Sequence, residues 1–257
     1  MTADRTNIVA FASVKGAPGV TTTACLVGAT WPAGRRAVVA ECDPFGGDLV
    51  PRFALSSRSG WNTVATATRR GGADTPLHAH LQELPGGLEV LTAMRPSAAG
   101  SVESHSVQVI EALCTGMAAP TVLVDVGRLL PGPLDSRGWL ARADMVALVL
   151  RPDVASVMHV SERAPELLAV CGERIGLVLV GEGEHSASEV AGFVGLPLTG
   201  QLPFDTVASS VLAGGRGSVR RLRRSSLTAS AVRLAETLSG RCSSTAPRWE
   251  PTRSVTA

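Results

Sequence analysis

The sequence contains no tyrosine and a single lysine, Lys15; the rest of its 24 basic residues are arginine. An arginine-rich, alanine-rich chain of this kind points to a high-GC genome before it points to a function. Cysteine is sparse and scattered, at 25, 42, 114, 171 and 242, an odd set with no C-x-x-C pair. That excludes a disulfide frame or zinc motif by spacing and predicts reduced thiols in a cytoplasmic protein. Long apolar runs are missing too. The longest, such as MVALVL (Met145–Leu150), fall far short of the roughly 20 residues a membrane helix needs, and the N-terminal MTADRTN has no apolar core of a secretion signal. Net charge is only +2, so any attraction to nucleic acid or an acidic surface has to come from local clustering.

What is present is core-forming material. Hydrophobic residues make up 45% of 257 positions, enough for one large domain. Short apolar runs recur at Asn7–Ser13, Ala37–Glu41, Leu88–Leu91, Thr121–Val126, Met145–Leu150 and Ile175–Val180. Helix-length segments alternate with them: Val20–Thr30, Val102–Cys114, Leu134–Arg142 and Val154–Val170. Near-continuous apolar strands separated by helices predict an α/β fold, a mostly parallel sheet covered on both faces. A short helix is expected around Trp61–Arg69 and another at Ser226–Ser239. The domain is read as residues 7–240, after a six-residue N-terminal tail. The segment from Arg241 onward is low in core formers and reads as a disordered tail.

The segment SVKGAPGVTTTA (Ser13–Ala24) joins the first strand to the first helix. A strand, a glycine turn and a helix N-terminus make an anion site by geometry, because free N–H groups and the helix dipole point at the same place. Gly16, Gly19, Thr21 and Thr22 suit such a phosphate cradle. Loops of this type place a lysine directly after the last glycine; here that position is Val20.

The order of motifs resembles the ParA/MinD family of P-loop ATPases over roughly Asn7 to Gly240. Its deviant Walker A loop is matched at Ser13, Lys15, Gly16, Gly19, Thr21 and Thr22, and departed from at Val14, Ala17, Pro18 and Val20. The family's second strand, ending D-x-D-P-x-G, is similar to Glu41-Cys42-Asp43-Pro44-Phe45-Gly46. Its Walker B strand is similar to Val122-Leu123-Val124 before Asp125, and a later apolar segment to Ala143-Asp144-Met145 through Pro152. The resemblance implies ATP or ADP with Mg²⁺ as cofactors, and Thr21, Glu41 and Asp125 around the metal. It implies Asp43 orienting the attacking water, and Pro203 and Asp205, within LPLTGQLPFD, near the adenine. It also implies a face-to-face homodimer in which Lys15 reaches the partner's phosphates.

Val20 removes an ammonium whose charged hydrogen bond is worth about 1.5–3 kcal/mol, or roughly ten- to a hundred-fold in affinity. Turnover is more exposed, since one cation is worth about 10³–10⁵ in phosphoryl-transfer rate. Pro18 also takes an N–H out of the cradle. These departures imply weakened nucleotide binding, slow or absent hydrolysis, and a positioning or assembly role. They resemble the family's TadZ/CpaE-like branch, whose partner would be a secretion or pilus ATPase or scaffold. Two alternatives stay open: a slow dimerising ATPase switch, and a DNA-partitioning ATPase using Arg216–Arg224 (RGSVRRLRR) on DNA phosphates. That run lacks the interleaved aromatics that stack bases. The helix Ser226–Ser239 is expected to pack on the domain, and the tail after it lacks the apolar stripe of a membrane-binding helix. His78 and His80 read as surface histidines, Glu182, Glu184 and His185 as a solvated loop, and Asp144 and Asp153 as cap or loop residues.

Overall fold

Alternation along β1 (Ile8–Ser13) divides its side chains between two cores: Ile8, Ala10 and Ala12 face one, Val9 and Phe11 the other. A strand with both faces buried belongs in the middle of a covered sheet, and β1 lies there. The computed structural model describes residues 6–15, 18–69, 76–93, 110, 120–130, 136–212, 214 and 218–243. The helix expected at Val102–Cys114 lies outside them except for Ile110, as do Gly16, Ala17 and Arg216.

After β1 come α1 (Val20–Ala29), β2 (Ala37–Glu41), α2 (Leu49–Phe53) and α3 (Trp61–Arg69). A 3₁₀ turn at Leu77–His80 leads to β3 (Gln82–Glu83), β4 (Glu89–Leu91) and β5 (Thr121–Arg128). The second half runs α4 (Ser136–Arg142), β6 (Met145–Leu150), α5 (Val154–Cys171), β7 (Ile175–Val180), α6 (Ala187–Val194) and β8 (Leu198–Leu202). It closes with α7 (Thr206–Leu212), α8 (Val219–Arg223) and α9 (Ser226–Ser243). The eight-stranded sheet has the order β3-β4-β2-β5-β1-β6-β7-β8. Among the described strands only the β3–β4 pair is antiparallel. Residues from α3, α4, α5 and α6 pack on one face; α1, α7 and α9 cover the other. This is the expected α/β sandwich.

The winding reverses at β1: the chain passes from β1 to β2 on one side of it, and later crosses from β5 to β6 on the other. Such a switch point opens a crevice at the carboxyl ends of the strands, where doubly wound sheets bind ligands. The glycine loop sits there. Two ties fix β6 beside β1: Ile8 N–H donates to the buried Asp144 carboxylate at 2.8 Å, and Asp144 N–H donates to Ile8 C=O at 2.7 Å. Asp153 caps α5, accepting from Ser156 N–H at 2.9 Å and from its hydroxyl at 2.8 Å.

Several boundaries differ from the sequence reading. β8 escaped it because an edge strand alternates exposed and buried positions, and Thr199 bulges where Leu177/Val178 changes register. α6 was also missed, although Ser186 and Glu189 form a capping box at its start. α9 continues to Ser243, into the segment read as tail, because Cys242 prolongs the buried stripe of Leu227, Ala231, Leu234, Ala235 and Leu238. His80 is corrected from surface to buried. The 3₁₀ turn eclipses residues three apart, so His80 follows Leu77 inward, with Nδ1 2.9 Å from Thr63 Oγ1, while His78 stays exposed. No helix among the described residues is long and apolar enough to cross a membrane.

Candidate functional site

The loop after β1 ends at Gly19, which holds φ 93° as the N-cap of α1, a left-handed conformation that side chains with a Cβ resist. Thr23 N–H closes the first helical bond to Gly19 C=O at 2.8 Å. The first turn carries no acidic side chain, so its N–H groups and positive dipole end are not neutralised locally. Val20, at the position usually held by lysine, is 6% exposed and packs in the core. It contributes packing and no charge.

Thr21 donates its hydroxyl to Asp125, a buried carboxylate on β5 that also accepts from Gly127 N–H at 3.0 Å. Burial pushes Asp125 up to about 7, against those two hydrogen bonds; the nearby Glu41 and Asp43 carboxylates raise it further. Pairing of β2 with β5 sets Glu41 opposite Asp125. Cys42 N–H then donates to Asp125 C=O at 2.7 Å, which delivers Asp43 to the strand ends. There β5 bulges: Phe11 pairs with Asp125 but Ala12 with Gly127. A bulge re-aims the chain at such rims. The bulge brings Gly127, at φ 67°, against Asp43, whose carboxylate occupies the space a Cβ would take. The other Asp43 oxygen, Oδ1, accepts from Phe45 N–H at 2.8 Å. Desolvation raises Asp43 above the ordinary carboxylate range.

Glu41 is 1% exposed and has both oxygens engaged by backbone. Oε1 accepts from Asp48 N–H at 2.8 Å and Leu49 N–H at 3.0 Å, and Oε2 from Ala93 N–H at 3.1 Å. Trp61 Nε1–H donates to Glu41 C=O at 2.9 Å. The residue thus ties β2 to α2, α3 and the end of β4.

On the other side of the loop, exposed Lys15 lies with Pro18, Arg151 and Ser156 around the β6–α5 junction. Beside it a cleft of about 140 Å³ runs from Gly19 and Thr22 past Arg151 to Val180, Pro203 and Phe204. Pro203 therefore lines a cavity continuous with the loop. Asp205 caps α7 instead, its Oδ1 accepting from Val207 N–H at 3.0 Å and Ala208 N–H at 2.9 Å. Arg151 and Phe204 were not singled out from sequence; the guanidinium stands 5.8 Å from the Phe204 ring centroid. Arg220, Arg221, Arg223 and Arg224 are exposed on and after α8, while Leu222 packs against the core.

No protein-family model matches the chain, and no curated protein matches it. Solved structures do. The cell division ATPase MinD of Pyrococcus furiosus aligns with TM-score 0.72 at 20% identity, covering 91% of this chain and 98% of its own. A ParA family ATPase from Chlorobium tepidum gives 0.70 at 18% identity over 91% and 98%. The septum site-determining protein MinD of Pyrococcus horikoshii, complexed with Mg-ADP, gives 0.69 at 20% identity over 90% and 95%. The chain has the fold of the MinD and ParA P-loop ATPases.

Proposed function

We propose that the chain binds an adenine nucleotide with Mg²⁺ at the loop of residues 15–22 and uses it to govern assembly or positioning, with slow or no hydrolysis. The observation that carries this reading is the Thr21–Asp125 pair at the foot of the loop, with Asp43 held over the strand ends and an apolar, buried residue at position 20. Thr21 and Asp125 are hard oxygen donors, and Mg²⁺ takes few of its ligands from protein where phosphates and water complete the octahedron. Glu41 falls outside that donor set because backbone N–H groups hold both its oxygens. Bound Mg²⁺ would neutralise phosphate charge. Asp43 would orient a water, and the cleft at Pro203 would take the base. At about 140 Å³ the cleft is smaller than a whole ligand pocket of roughly 300–1,000 Å³, consistent with housing one end of an elongated ligand. The Mg-ADP bound by the Pyrococcus horikoshii protein supports the choice of ligand.

In this reading the nucleotide favours a homodimer, to which Lys15 contributes across the interface, and the dimer recruits a protein such as a secretion or pilus ATPase or scaffold, as in the TadZ/CpaE-like branch. The exposure of Arg220, Arg221, Arg223 and Arg224 favours a second reading, in which Arg216–Arg224 contacts DNA without sequence preference.

Calorimetry with ATP–Mg²⁺ and ADP–Mg²⁺ tests the first reading. Binding by the unmodified protein, tightened in Val20→Lys, is the expected result; no binding of either nucleotide sinks it. Hydrolysis that Asp43→Ala abolishes would instead establish an ATPase switch. Salt-sensitive binding to random duplex DNA, lost when the four exposed arginines are neutralised, would favour the second reading.

A further inference from the structure

Among the described residues the cleft beside the loop has one cation on its wall, Arg151. Arg151 follows the last residue of β6, which pairs with β1 in the register Ala12↔Leu148. That pairing sets Arg151 next to the loop that follows Ser13. It lines the depression with Lys15 and Pro18, and also the cleft with Gly19, Thr22 and Pro203, so it stands where the two meet. The Phe204 ring holds the guanidinium on one side at 5.8 Å. Asp153, two residues on, feels the Arg151 and Lys15 charges but forms no ion pair with Arg151, and its carboxylate caps α5 through Ser156. Among the described residues no hydrogen bond or ion pair holds the Arg151 guanidinium. A guanidinium is a planar fork of five donors matched to phosphate oxygens.

We propose that Arg151 supplies, from a neighbouring strand of the same chain, the cation that position 20 lacks, and that it grips the phosphate end of the nucleotide where this cleft meets the loop. The inference rests on the nucleotide-binding reading and adds the residue that compensates for Val20. The physical logic is substitution in space: a lysine on the helix N-terminus is exchanged for an arginine one strand away, and the cradle keeps a positive charge. Phe204 orients the fork while leaving one side open to the ligand.

Calorimetry with ATP–Mg²⁺ and, separately, adenosine on the wild-type chain, Arg151→Gln, Arg151→Lys and Arg151→Gln/Val20→Lys decides it. Arg151→Gln is expected to weaken ATP binding about ten- to a hundred-fold, with adenosine changed less than about twofold. Arg151→Lys should fall between, and Val20→Lys should gain more in the Arg151→Gln background than alone. Unchanged melting temperature in Arg151→Gln separates lost binding from lost fold. Equal ATP affinity in wild type and Arg151→Gln overturns this inference and leaves the nucleotide reading standing. Equal losses for ATP and adenosine also overturn it, since Arg151 would then serve the base through Phe204. Failure of the wild-type chain to bind ATP overturns both.

Discussion

The Asp43 carboxylate occupies the space that a Cβ on residue 127 would need, so Asp43 and Gly127 are fitted to one another across the ends of β2 and β5. Gly127→Ala must therefore displace Asp43 and also hold alanine at φ 67°. The backbone alone costs about 1–2 kcal/mol. A lowered urea midpoint is expected, together with altered Asp43 environment by NMR; an unchanged midpoint would show that the strand ends adjust freely.

Glu41 distinguishes a structural tie from a metal ligand. Glu41→Gln puts an NH₂ where one backbone N–H needs an acceptor, leaving at least one buried donor unsatisfied at about 1–3 kcal/mol. The metal-free protein should therefore melt at lower temperature. A variant that melts normally but binds Mg²⁺ poorly would return Glu41 to the metal shell.

Asp125 makes stability depend on pH with a definite sign. Its folded value, pushed up by burial to about 7, lies above the 3.8 of an ordinary aspartate. Between those values the folded chain keeps a proton that the unfolded chain has released, so stability falls as pH rises from about 4 to 7. The swing is on the order of 4 kcal/mol. Asp43 and Glu41 shift in the same direction, so Asp125→Asn should flatten the slope in part and raise stability at pH 8. Urea titrations in chelator from pH 4.5 to 8 measure this, and an unaltered slope would remove Asp125 as its source.

Buried thiols supply a check on the packing, and Cys25 also lies near the Asp125 and Glu41 carboxylates. Burial pushes Cys171 up to about 11, with Arg174 opposing, and raises Cys25 beyond that. Neither should react with maleimide at pH 8 until the chain is unfolded, as read by peptide mass spectrometry. Because the unfolded thiol ionises first, Cys171 should also make stability decline from about pH 9 to 11. Rapid native labelling at either position would contradict the packing.

Legibility varied with the kind of force involved. β2, β6 and β7 match the sequence reading residue for residue, because a buried parallel strand has to be apolar at nearly every position. β8 carries polar and glycine residues on a sheet edge, where half its positions face water. Thr21 and Asp125 stood out in the sequence as motif members; their hydrogen bond required β5 to lie beside β1. Glu41 shared its motif with Asp43, yet its partners Asp48, Leu49 and Ala93 are set by where α2 and the end of β4 pack. No local pattern marks Arg151 at all.

The sequence by itself determined the alternation of strands and helices, the glycine turn that starts α1, and the absence of a cation at position 20. These follow from backbone preference and side-chain chemistry, which act over a few residues. Tertiary structure decided which carboxylate faces the threonine hydroxyl, which is tied into backbone, and which cation lines the cleft beside the loop. Those outcomes depend on strand order and register, which join residues more than a hundred positions apart.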